Sequence, residues 1–284
     1  MTAVVRANLR ISRIEGNGPG LELLRMDPAP GVAPKPPLLL VHGAYTDAWV
    51  FSETLMPYFA ALGHPVAAPS LRGHGESSGR GALDFWGLAD YQHDVERALG
   101  ELGGPAIVLG SSMGGLIAQR LMRTTPPPLA LVLMGSVPPL GLSGPLMHIA
   151  SHSPRHLADL LHLGWSGRPS GRFIELLVEH PLRAAEPGFY RRHVQRESSR
   201  SLWELTWAPM APHGAATMPL LVVHGEQDRL VPVPSADAII GRYGGTLMRL
   251  PGIGHLPMIE RDWEPVAGLV AKWLSDHLPG HSDD

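Results

Sequence analysis

Short apolar runs alternate with helix-like segments along this chain, and that alternation leaves few folds open. Strand-like runs fall at 38–42, 65–69, 105–110, 129–135, 218–225 and 245–250. Brief apolar runs bounded by Gly, Pro or polar turn residues suit strands buried on both faces. Between them, 49–62, 86–102 and 113–123 read as helices. In 49–62, Val50, Thr54, Leu55, Tyr58, Phe59 and Leu62 share one face. A last helical segment, 261–278, closes the chain. Strand–helix alternation predicts an α/β fold: a doubly wound, mostly parallel sheet with helices on both faces. Ahead of it, Leu9 to Ile14 and Leu21 to Met26 alternate around Gly16-Asn17-Gly18-Pro19-Gly20. They predict an antiparallel hairpin, which brings the sheet to eight strands.

Residues 136–216 interrupt the pattern. Helix-like pieces at 145–152, 154–163, 171–179 and 188–205 are punctuated by Pro and Gly, with no core strand among them. The stretch is too long for a simple loop. It predicts a helical cap inserted into a core made of 1–135 and 217–284. The cap would lie over the carboxyl ends of the strands, where open α/β sheets bind ligands.

Composition narrows the partners. The chain has 284 residues, a net charge of −3 and no basic block, so nucleic acid is not an expected partner. It contains no Cys, which excludes disulfides, thiolate catalysis and Cys-held metals. No apolar run approaches the roughly 20 residues of an integral membrane segment. Met1 to Arg6 lacks the apolar core of a secretory signal, and a cytoplasmic protein is the expectation. Nothing in the pattern speaks to oligomeric state.

The chemistry-bearing residues sit at the ends of these runs. Ala106-Ile107-Val108-Leu109 leads into Gly110-Ser111-Ser112-Met113-Gly114. A serine held at a sharp strand-to-helix turn leaves no room for side chains two residues either side, and glycines stand at both places. Leu38-Leu39-Leu40-Val41 ends in His42-Gly43-Ala44. Leu220-Leu221-Val222-Val223 ends in His224-Gly225-Glu226-Gln227-Asp228. The run 246–250 is followed by Gly252-Ile253-Gly254-His255. Ser112, Asp228 and His255 thus each follow a strand, in the order Ser…Asp…His.

Over residues 36–135 and 217–275 the chain resembles the α/β-hydrolases of the serine esterase and lipase kind. The resemblance implies that Ser112 is the nucleophile, His255 its base and Asp228 the residue that orients the imidazole. It implies an oxyanion hole made by the N–H groups of Ala44 and Met113, with no cofactor and no metal. His42-Gly43-Ala44-Tyr45 departs from the three-glycine loop of the hormone-sensitive-lipase-like branch. His42 reads as a buttress of this loop. Leu71 to Ser77 reads as a structural loop, with Ser70 where relatives often carry an acidic residue.

The implied reaction is hydrolysis of a small-molecule carboxylic ester through an acyl-enzyme, and the many Leu, Met and Trp residues of 136–216 suggest a substrate with an apolar part. Relatives with the same triad also cut thioesters, lactones and carbon–carbon bonds, or act as hydroxynitrile lyases and perhydrolases. A binding protein on a hydrolase fold is the alternative of another class. Tyr45 and Leu256 are candidates to line the substrate pocket. Trp203 and Trp207, one turn apart, either line it too or pack the cap on the core. His148, His152 and His156 are spaced for one helix face, but Pro154 intervenes and no metal site is expected.

Overall fold

The computed structural model describes residues 8–166, 176–179 and 193–278. An eight-stranded sheet forms its centre: β1 (Leu9–Ile14), β2 (Leu21–Met26), β3 (Leu38–Val41), β4 (Val66–Pro69), β5 (Ile107–Ser111), β6 (Ala130–Met134), β7 (Leu220–Gly225) and β8 (Thr246–Leu250). The spatial order is β1-β2-β4-β3-β5-β6-β7-β8. β2 pairs antiparallel with both β1 and β4, and every pairing from β4 to β8 is parallel. β1 and β2 form the expected hairpin, in register from Leu9 opposite Met26 to Ile14 opposite Leu21.

The strand period of two divides the core into two layers. Leu38, Leu40, Ile107 and Leu109 face one apolar layer, and Leu39, Val41 and Val108 face the other. Helices cover both faces: α1 (Leu55–Ala61), α2 (Leu88–Gly100), α3 (Met113–Arg120), then α4 (Ser143–His152), α5 (Pro154–Ser166) and α6 (Ser199–Trp207) between β6 and β7, and finally α7 (Pro234–Tyr243) and α8 (Trp263–His277). Phe51, Phe59, Trp263 and Trp273 pack on the first layer, and Tyr91, Leu116 and Ile239 on the second.

Three helix expectations are corrected. The segment 49–62 is not one helix: a 3-10 turn at Ala48–Phe51 precedes α1. Pro57 has no N–H and its ring would collide with the carbonyl four residues back, so a helix through it from residue 49 is blocked. Within 86–102 the helix starts only at Leu88, after a 3-10 stretch at Arg80–Phe85. Gly87 N–H donates to Asp90 Oδ2 at 2.9 Å and marks that start.

Of 188–205, residues 188–192 lie outside the described residues, and helix α6 begins at Ser199. The Ser198 hydroxyl caps it by accepting from Ser201 N–H at 3.2 Å. Residues 194–198 carry no helix: the Gln195 N–H bonds to the Tyr45 carbonyl, the Gln195 side chain to Asp47, and the Glu197 carboxylate accepts from the Tyr45 N–H. The expected helix at 171–179 lies outside the described residues apart from 176–179. Among the described residues no helix is long and apolar enough to cross a membrane.

Candidate active site

Ser112 stands between the last residue of β5 and the first of α3, with φ 53° and ψ −116°. Only glycine adopts such a conformation freely, and holding it stores about 1–3 kcal/mol of strain. The glycines around it are required sterically. A Cβ on Gly110 would overlap the Gly114 carbonyl, and one on Gly114 would overlap the Val41 carbonyl. The strand and the helix therefore close tightly and thrust the serine side chain outward.

His255 arrives from the loop after β8. Its Nε2 lies 3.0 Å from Ser112 Oγ, and its Nδ1 lies 2.7 Å from Asp228 Oδ2. Asp228 follows β7 and is fixed in turn. Its Oδ1 accepts from the N–H groups of Leu230 at 2.9 Å and Val231 at 2.8 Å. An ionised carboxylate can only accept, so Nδ1 carries a proton and Nε2 presents its lone pair to the serine hydroxyl. Both side chains are buried, which concentrates the electrostatic interaction. His224 lies behind them, with Nε2 4.0 Å from Asp228 Oδ2, and burial pushes its pKa down.

The backbone holds this histidine by two close approaches. A Cβ on Gly135, at φ 53°, would fall 2.6 Å from the His255 carbonyl and 3.2 Å from Nδ1. Glu260 Oε1 accepts from Gly254 N–H at 2.8 Å and Glu179 N–H at 3.1 Å, anchoring the loop before His255. Glu260 follows His255 by five residues, but a lone buried carboxylate carries no motif.

On the opposite side of Ser112, the 43–45 loop presses against the turn. A Cβ on Gly43 would come within 2.9 Å of Ser112 Cβ. Met113 opens α3, so its N–H has no earlier helical carbonyl to bond and lies at the positive end of the helix. The Ala44 N–H precedes Tyr45, which itself has φ 66°. His42 is completely buried, donates from Nδ1 to the Gly43 carbonyl at 2.8 Å and accepts Leu71 N–H at Nε2 at 3.0 Å. Burial, with the nearby His74 charge, pushes its pKa down to about 4. It is a neutral brace of the loop.

The 70–78 loop has its own anchors. Arg72 is forked onto Asp94, with Nε to Oδ2 at 3.0 Å and Nη2 to Oδ1 at 2.8 Å. Ser70 donates to Glu22 Oε2 at 2.6 Å. A carboxylate does sit beside this loop, supplied from β2 and not from the loop itself, which the local sequence could not show.

A cavity of about 450 Å³ opens over Ser112 and His255. Gly43, Ala44 and Tyr45 line it from the core, with Leu230, Val231, Leu256 and Ile259. Leu142, Leu146, Leu157, Leu160, Leu161, Leu202 and Leu205 line it from the segment between β6 and β7. Tyr45 and Leu256 are thus at the cavity. Trp203 and Trp207 are not: they are 60% and 66% exposed and line neither the cavity nor the core. The α6 residues turned inward are Leu202, Leu205 and Thr206, and the 100° step per residue carries Trp203 and Trp207 to the outside. His148 and His152 stack at 4.1 Å on the exposed side of α4, whereas His156 is buried in α5. Among the described residues no three such side chains gather to hold a metal.

Chemically, the arrangement can pass a proton from a serine hydroxyl to an imidazole whose other nitrogen is pinned by a carboxylate. The wider comparison agrees with the fold. A family model described as the alpha/beta hydrolase family matches residues 38–269, and the chain belongs to that family. It is similar to a monoacylglycerol lipase of Mycolicibacterium smegmatis, 27% identical over 260 residues, covering 88% of this chain and 91% of the relative. It is also similar to a pimeloyl-[acyl-carrier protein] methyl ester esterase of Aromatoleum aromaticum, 29% identical over 252 residues, covering 80% and 93%. Among solved structures, the 2-hydroxy-6-oxo-6-phenylhexa-2,4-dienoate hydrolase from Rhodococcus superposes with a TM-score of 0.71 at 23% identity, covering 94% of this chain and 99% of that one.

Proposed function

We propose that this chain is a serine hydrolase of neutral carboxylic esters with an apolar acyl part. The observation that carries it is the Ser112–His255–Asp228 alignment at the foot of a leucine-lined cavity. Ser112 Oγ attacks the ester carbonyl while His255 Nε2 takes its proton. The negative oxygen of the tetrahedral intermediate rests on the Ala44 and Met113 N–H groups. His255 then protonates the departing alcohol and, in the second half, takes a proton from water to release the acid. Asp228 holds the imidazole tautomer throughout. The segment 136–216 acts as the cap that supplies the acyl pocket.

The lining supports one reading among the reactions that share this machinery. No Lys or Arg lines the cavity among the described residues, so nothing there pairs with a substrate carboxylate. That supports neutral esters over the acid-bearing substrates of carbon–carbon bond hydrolases. The two curated relatives named above are a lipase and an esterase, in line with this reading.

The test is initial hydrolysis rates for p-nitrophenyl esters from acetate to palmitate, with wild type and Ser112→Ala. Turnover that disappears in the variant is the expected result. A wild type with no Ser112-dependent turnover of any of these esters overturns the proposal and leaves thioester, lactone or lyase chemistry, or ligand binding alone.

A further inference from the structure

Glu197 lies on the segment between β6 and β7, far in sequence from Ala44, Tyr45 and Ser112, yet its side chain is completely buried against the core. A buried carboxylate is costly unless every oxygen is satisfied. Here Oε1 accepts from Tyr91 Oη at 2.6 Å, Ser198 N–H at 2.7 Å and Ser201 Oγ at 3.1 Å. Oε2 faces His74 Nε2 at 3.2 Å and accepts Tyr45 N–H at 3.4 Å. The His74 Nδ1 lies 3.2 Å from the Arg72 carbonyl, so both ring nitrogens meet acceptors. Burial opposes the charges, but the pairing outweighs it: the Glu197 pKa is held at about 2 and that of His74 is raised.

The partner that matters is Tyr45. It is a bulky residue in the left-handed region, where its backbone must be held by its surroundings. Both of its backbone polar groups are taken by the same segment: its N–H by Glu197, and its carbonyl by Gln195 N–H at 2.9 Å. Two residues on, Asp47 Oδ2 accepts from Gln195 Nε2 and from His193 Nδ1, each at 3.0 Å. Residues 193–197 thus strap down the loop that begins with Ala44.

We infer that Glu197 is a positioning residue for the oxyanion loop, keeping Tyr45 in its strained conformation and the Ala44 N–H aimed at the reacting carbonyl. This rests on the serine-hydrolase reading above. Without the carboxylate oxygen, the Tyr45 N–H loses its partner. The backbone then relaxes from φ 66°; the Ala44–Tyr45 peptide turns and, through the Ala44 Cα, shifts the adjoining Gly43–Ala44 peptide, carrying the Ala44 N–H off its target. A donor that meets charge only in the transition state affects kcat and leaves KM nearly alone. The segment that shapes the substrate pocket also completes the oxyanion site, so the two are assembled together.

Glu197→Gln isolates the effect. The amide oxygen can still accept from Tyr91, Ser198 and Ser201, while its NH₂ replaces Oε2 and cannot accept from Tyr45. The experiment measures kcat and KM for p-nitrophenyl butyrate and the Ki of butylboronic acid, whose serine adduct is tetrahedral with an oxygen in the hole. Folding is checked by circular dichroism. The expected result is a kcat lowered tenfold or more, KM within about threefold, and Ki weakened about as much as kcat.

Wild-type turnover with an unchanged Glu197→Gln variant overturns the inference and leaves the hydrolase reading intact. A loss of kcat without a change in Ki also overturns it. Absence of Ser112-dependent turnover in the wild type overturns the hydrolase reading and this inference with it. If Glu197→Gln does not fold, Tyr91→Phe decides, since it removes one bond to Oε1 from an otherwise isosteric core. A kcat lowered about threefold or more at constant KM supports the inference, and an unchanged kcat overturns it.

Discussion

The backbone of Gly135 is packed against the ring of His255, so closely that a Cβ at residue 135 would fall 3.2 Å from Nδ1. β6 therefore does more than pair with β5 and β7: its C-terminal turn forms the wall behind the proposed base. Gly135→Ala introduces a methyl group there and forces a non-glycine residue to φ 53°. The conformation alone costs about 1–2 kcal/mol. The expected outcome is a melting temperature lower by a few degrees, with kcat reduced on the order of 10²-fold by displacement of His255. Thermal melts and ester kinetics on the same preparation check both.

Ser112 stores backbone strain, and substitutions there separate stability from the proposed activity. Ser112→Ala keeps the unfavourable φ/ψ, whereas Ser112→Gly relieves it. Both variants are expected to lose activity by a factor on the order of 10⁴ or more. Ser112→Gly is expected to be more stable than Ser112→Ala by about 1–2 kcal/mol, after the greater unfolded-state entropy of glycine is set against the relief. Denaturant midpoints of the two variants give the difference directly.

His42 makes stability pH-dependent with a definite sign. Its pKa is near 4 in the folded chain against 6.5 for an ordinary histidine, with Asp47, Glu197 and His74 the charged neighbours. Between those values the unfolded chain binds more protons than the folded one, so stability falls as the pH falls through the window. The stabilisation is fully present above about pH 6.5 and amounts to roughly 3 kcal/mol lost by pH 4. His42→Gln keeps a donor and an acceptor but does not titrate. Its unfolding free energy is expected to fall less steeply than that of the wild type between pH 6.5 and 4, as measured by urea melts.

With the cavity taking the acyl chain, as proposed, the inner face of α4 is expected to set acyl length. Leu146 lines the cavity, and Leu146→Trp fills part of it. The optimum across p-nitrophenyl esters is expected to move to shorter chains, with kcat/KM for the longest accepted ester lowered about tenfold or more. Trp203→Ala, on the exposed side of α6, is expected to leave the chain-length profile within twofold of the wild type. The same ester panel reads both.

The strands, the hairpin and the three loops bearing Ser112, Asp228 and His255 were legible because each signal is local. Short apolar runs, their period and the glycines of a tight turn act within a few residues of themselves, and β1 and β2 have the expected bounds. Helix starts were less so. Pro57 and Ser198 signal a break and a cap, but the apolar spacing of their neighbours hides both.

The sequence by itself determined the alternating α/β framework and the order in which three chemistry-bearing loops leave the strands, since propensity, period and turn sterics are carried by neighbouring residues. Only the tertiary structure decided that Ser112, His255 and Asp228 lie within hydrogen-bond reach of one another. It alone decided that Trp203 and Trp207 point away from the cavity while Leu202 and Leu205 face it. It alone brought Glu197 to Tyr45 and Glu22 to Ser70. A buried carboxylate goes where donors can satisfy it, and those donors come from parts of the chain that meet only when the layers close.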